Sequence, residues 1–109
     1  MQMLEVERLA KAVACEGIKV VGAVPRGHGD LVDQVKRALV STVLNTTEGL
    51  HRTAGDRRQL LTVARGSAAE AAVGLGLLAA LGLVPEAASA ALDTDLDRIR
   101  AMLFRLGQK

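Results

Sequence analysis

Residues 31–52 read LVDQVKRALVSTVLNTTEGLHR, and the spacing of two residue classes within them decides the fold. Leu31, Val35, Leu39, Val43 and Thr46 recur with the helical period and mark a core-facing stripe on a helix spanning about Leu31 to Leu50. Beside that stripe, Gln34, Arg37, Ser41, Asn45, Glu48 and Arg52 keep the same period and line a second face for about five turns. A solvated face is usually rich in Lys and Glu. This one holds short amide and hydroxyl groups between two arginines and one glutamate, as a buried or interfacial hydrogen-bond ladder would.

Upstream, Val6, Leu9, Ala10, Val13, Gly17 and Val20 make the apolar stripe of a helix over roughly Met3 to Val21. Gly22, Pro25, Gly27 and Gly29 then predict a loop, with Asp30 as N-cap of the next helix. Downstream, Gly49 to Gly55 reads as a turn, and Gly55 and Asp56 open a third helix that runs to Leu81 or Gly82. Its Leu60, Leu61, Ala64, Ala68, Ala71, Leu75 and Leu78 are mostly apolar. Gly66, Gly74 and Gly76 inside it each cost up to ~1 kcal/mol against Ala, which predicts close approach by another backbone. Glu70 stands alone in this stretch, and an unpaired buried carboxylate is expensive, so Arg37 or Arg52 is its expected partner. Gly82 and Pro85 separate off a last helix, Glu86 to Leu106, with Leu92, Leu96, Ile99, Met102, Leu103 and Leu106 as its stripe. The reading is all-α: an antiparallel up-down-up-down four-helix bundle forming one domain over residues 1–109.

A chain of 109 residues supports a single core. Half of it is apolar, yet Phe104 is its only aromatic residue, and the Ala, Leu, Val and Gly that make up the rest bury little area each. At roughly 25 cal/mol per Å² such a lone bundle is marginal, so a subunit interface is the expected second source of burial. Cys15 is the only cysteine, which excludes an internal disulfide and fits a reducing compartment. Glu5, Glu7, Arg8 and Lys11 interrupt the start of the chain, unlike a secretory signal. The longest apolar run, Ala71 to Val84, has 14 residues and reads as a buried helix with no membrane role. The expected location is the cytoplasm, where the Asn45-Thr46-Thr47 sequon has no meaning.

Net charge is only +2, but its distribution is uneven. Residues 1–50 are neutral overall; residues 51–66 carry Arg52, Arg57, Arg58 and Arg65 against Asp56 alone; residues 67–109 carry a net −1. The positive charge therefore lies near one inter-helix turn. No catalytic set emerges: Ser41 or Ser67 with His51 and an acid lacks the strand-turn-helix elbow that exposes a nucleophile. His28, His51 and Cys15 show no metal-ligand spacing, and no metal or cofactor is expected. Arg26 to Asp30 resembles a phosphate loop but lacks its strand and lysine. The cluster Arg52, Arg57, Arg58 and Arg65 reads in one of two ways. It is either a solvated turn with internal salt bridges to Glu48 and Glu70, or one unit of a guanidinium array that oligomerisation assembles for phosphates.

Three segments carry a family resemblance: Gln34-Val35-Lys36-Arg37-Ala38; Asn45-Thr46-Thr47-Glu48-Gly49 followed by Arg52; and Ala64-Arg65-Gly66-Ser67-Ala68-Ala69-Glu70. They resemble the four-helix-bundle family of large-subunit rRNA intervening-sequence proteins and the accessory variability determinant of diversity-generating retroelements. The resemblance covers about residues 5–106. It implies a pentameric, barrel-like assembly and, for the retroelement branch, a basic surface that binds nucleic acid and a reverse transcriptase. Arg37, Asn45, Glu48, Arg52, Ser67 and Glu70 match the family's polar signature and, with Ser41, form the expected structural ladder; Arg57, Arg58 and Arg65 are the better polyanion contacts. Thr46-Thr47 departs from the family, which favours an apolar residue and Ala there. Two readings follow: a non-enzymatic oligomer whose arginines hold RNA or DNA backbones, and a structural or adaptor oligomer whose partner is a protein.

Overall fold

The computed structural model describes residues 3–109. Four helices follow one another: α1 (Glu5–Gly22), α2 (Gly29–Leu50), α3 (Ala54–Ala80) and α4 (Glu86–Gly107). Each packs on two neighbours, α1 and α3 both lying against α2 and α4, in a bundle measuring 43 × 23 × 22 Å. The core is a single cluster in which all four helices take part: Val6 and Val13 of α1, Val35 and Leu39 of α2, Leu61, Leu75 and Leu78 of α3, and Leu92, Leu96, Ile99 and Leu103 of α4. Ala64, Ala68 and Ala71 are fully buried along α3 and let its neighbours come close.

The helix ends explain the connections. After α3, Gly82 adopts φ +76°, and the N–H groups of Gly82 and Leu83 donate to the carbonyls of Ala79 and Leu78. That left-handed cap needs a glycine and satisfies two orphan carbonyls before Pro85 starts the next helix. The link between α2 and α3 is shorter than the glycines suggest: Gly49 and Leu50 remain helical, and only His51 to Thr53 turn. Asp30 lies in the first turn of α2 and is not its N-cap, a position held by His28.

Three polar groups are buried in ways that matter for packing. Glu7 accepts hydrogen bonds from the Leu4 N–H (3.1 Å) and from Thr47 Oγ1 (2.9 Å), tying the start of α1 to α2. Thr42 Oγ1 donates to the Ala38 carbonyl at 2.8 Å. Thr46 is fully buried and its hydroxyl has no partner among the described residues. None of the three α3 glycines meets a second backbone: Gly74 makes room for a side chain instead, an added Cβ there lying 2.5 Å from Val35 Cγ2. Gly66 and Gly76 face open space.

The segment Ala71 to Val84 is not buried all round, as its composition suggested. Helix α3 meets the length and composition of a membrane span, but it lies along the bundle with one stripe inward. Its outward side is apolar too, with Val63, Val73, Leu77 and the adjoining Leu81 exposed, Val73 by 73%.

Candidate nucleic-acid interface

The polar face of α2 meets α3 at a seam. Ser41 Oγ and Ser67 Oγ lie 2.7 Å apart, and Asn45 Nδ2 donates to both the Ser41 carbonyl and Ser41 Oγ at 3.0 Å. These half-buried groups form the middle of the expected ladder. Its ends differ from expectation. Glu48 and Arg52 make an exposed pair one turn apart at 3.0 Å, an interaction worth about 0.3–0.5 kcal/mol. Arg37 and Glu70 are both exposed, and among the described residues neither forms an ion pair. Glu70 therefore needs no buried cation. The apolar run around it supplies two faces of α3, and Glu70 lies on the outer one, between Val63 and Val73.

The four arginines of the basic segment are not equivalent. Arg52 is engaged by Glu48. Arg57 is half-buried and donates to the carbonyls of Leu50 (3.3 Å) and Leu106 (3.4 Å), so it satisfies the last turns of α2 and α4. These bonds tie it to the packing of the bundle, a part its expected place among the polyanion contacts did not include. Arg58 and Arg65 are seven residues apart and share the side of α3 that faces α4. The Arg65 guanidinium lies over the Phe104 ring, 4.8 Å from its centroid. Its Nε is buried without a hydrogen-bond partner.

The antiparallel return of α4 brings further cations to this face. Arg65, Arg100, Phe104 and Arg105 line an open pocket of about 310 Å³, with Asp97 its only acid. Arg100 makes one long contact with Asp97 at 3.7 Å, while Arg58, Arg65 and Arg105 form no ion pair among the described residues. Three guanidinium groups, those of Arg65, Arg100 and Arg105, thus meet one carboxylate at this pocket, while Glu86 and Asp93 line the α3–α4 groove farther along.

A family model described as the 23S rRNA-intervening sequence protein matches residues 2–105. The chain belongs to this family. Its fold matches the crystal structure of a protein of unknown function of the S23 ribosomal protein family from Bacteroides thetaiotaomicron, with a TM-score of 0.85 at 17% identity. That match covers 95% of this chain and 99% of the other. Among curated proteins, none matches the chain.

In this intervening-sequence family member, linear charge counting missed two of the three arginines of this pocket. Arg100 and Arg105 belong to a segment of net negative charge, and only the packing of α4 beside α3 brings them to Arg65. Phe104 was legible only as the sole aromatic residue; its place among arginines depends on the same packing. The remaining candidates stay apart. His51 ends α2, about 15 Å along the axis from Ser41, and His28 begins the same helix at its other end.

Proposed function

We propose that this chain is a non-enzymatic, self-assembling protein that binds the backbone of nucleic acid as an accessory factor. The observation that carries the reading is the pocket between α3 and α4, where Arg65, Arg100 and Arg105 meet Asp97 alone, with the exposed Arg58 two turns along α3 from Arg65. Guanidinium groups pair with phosphates in bidentate geometry, and cations without internal partners are free to do so. One such patch is a modest field; several copies around a symmetric assembly make a strong one.

Self-assembly is supported by the outer face of α2 and α3. Val40, Leu44, Val63, Val73, Leu77 and Leu81 are all exposed there, Leu44 by 61%. Between the helices runs an apolar groove of about 380 Å³ lined by Leu31, Val35, Val73, Gly74 and Leu77. A contiguous apolar surface of this kind marks an interaction site. Arg37 and Glu70, of opposite charge and without an ion pair among the described residues, lie on the same face and suit contacts between copies. The partner in this reading is a second copy of the chain, with five copies the number that the family resemblance implies. The same resemblance makes a reverse transcriptase the enzyme that such an assembly would serve.

The test is fluorescence anisotropy with labelled RNA and duplex DNA at low and near-physiological salt, on protein whose mass is fixed by light scattering. Binding that weakens steeply with salt, and that the double variant R58A/R105A loses, supports the reading. Assembly without binding at low salt leaves an adaptor for protein partners.

A further inference from the structure

Phe104 is the sole aromatic side chain of the protein, and it is 49% exposed. A lone phenylalanine in an aromatic-poor chain is ordinarily spent on the core, because it buries more area than any aliphatic residue. Here the core is filled by Leu, Val, Ile and Ala, and the ring stands at the surface within the arginine cluster. Arg65 covers part of it from 4.8 Å and is itself held there, leaving its Nε without a partner. Arg100 and Arg105 flank the ring on α4, at the rim of the open pocket. The site thus combines one partly exposed π surface, a guanidinium group over it, and further cations beside it.

We infer that this site takes an unpaired nucleotide: the base stacks on Phe104 and the Arg65 plane, and the flanking phosphates lie on Arg100 and Arg105. The inference rests on the nucleic-acid reading above and adds to it a preference for single-stranded or looped segments. A duplex buries its base faces in its own stack and offers this site only phosphates. A single strand offers both, and base–aromatic stacking is tolerant of sequence. Phe104 therefore contributes to single-strand binding and nothing to duplex binding, whereas the arginines contribute to both.

The protein contains no Trp or Tyr, so F104W places a unique fluorophore in the site. The probes are a short oligoadenylate and an RNA duplex of equal length. Stacking predicts that oligoadenylate quenches the indole emission of F104W and the duplex does not. It also predicts that F104L weakens oligoadenylate binding about tenfold while duplex binding is unchanged. Light scattering of F104L should give the wild-type mass. Equal effects of F104L on both probes, or no quenching of F104W by bound oligoadenylate, would overturn the inference and leave backbone binding intact. A changed mass for F104L would overturn it by making the ring part of a subunit contact. Failure of the wild-type protein to bind either probe would overturn the broader reading as well.

Discussion

Thr46→Val should make the protein more stable, which is unusual for a substitution at a fully buried site. The hydroxyl of Thr46 has no hydrogen-bond partner among the described residues, and the residue is 0% exposed. A buried, unsatisfied polar group costs about 1–3 kcal/mol. Valine keeps the β-branched shape and has similar helix propensity, so the swap removes that cost without a cavity or a new rotamer restriction. The expected gain is about 1–2 kcal/mol, which for a domain of this size raises the midpoint by about 5–10 °C. Thermal melts by far-UV circular dichroism at one fixed protomer concentration provide the assay, because assembly makes midpoints concentration-dependent. Thr42→Val is the control: its hydroxyl is satisfied by the Ala38 carbonyl, so its removal should bring no gain. A Thr46→Val midpoint at or below wild type, or a gain shared equally by Thr42→Val, would refute the assignment of an orphaned hydroxyl.

Gly74→Ala should cost about 1–3 kcal/mol despite the better helix former, because its Cβ meets Val35 Cγ2 at 2.5 Å. Combined with Val35→Ala it should cost less than the two changes summed, and strict additivity in a double-mutant cycle would contradict the close approach. Glu7→Ala should lose about 2 kcal/mol in urea titrations, since it strands both the Leu4 N–H and the Thr47 hydroxyl; a loss under half that value would show the carboxylate to be dispensable. Arg57→Ala should destabilise by about 1 kcal/mol through the Leu50 and Leu106 carbonyls, while Arg58→Ala leaves the melt unchanged. Equal melts for these two neighbours would remove the distinction between them.

The helices and their order were legible because α1, α2 and α4 carry periodic stripes and glycines and prolines bound α3; the buried residues of α4 follow its stripe, whereas α2 adds Ala38, Thr42 and Gly49 to the expected Val35, Leu39 and Thr46. Contacts that close over long sequence distances were not. Glu7 looked like one of several charges interrupting the N-terminus; its partner Thr47 is forty residues away. Thr47 itself looked like a departure from the family pattern, and it is the donor that satisfies this carboxylate. Glu70 misled for a different reason. An apolar stretch on a helix can mean burial on every side or burial on one side and an uncovered face on another, and composition alone does not separate the two. The seam of Ser41, Asn45 and Ser67 lay within reach of the periodicity, because short hydroxyl and amide groups on a helix face imply a close neighbour. The α3–α4 basic face lay beyond it, because its members come from segments of opposite net charge.

The central claim is that the arginines gathered by α3 and α4 hold nucleic-acid phosphates. Its most direct test is the salt dependence of anisotropy-monitored RNA binding for wild type and R58A/R105A at matched assembly mass. Both residues are exposed and form no ion pair among the described residues, so the variant should keep its melt and its mass. The account predicts binding whose logarithmic salt slope becomes shallower by roughly one unit for each phosphate-contacting arginine removed, with affinity falling across all sequences. Binding with an unchanged slope in the variant, or no binding by wild-type protein at low salt, would contradict it.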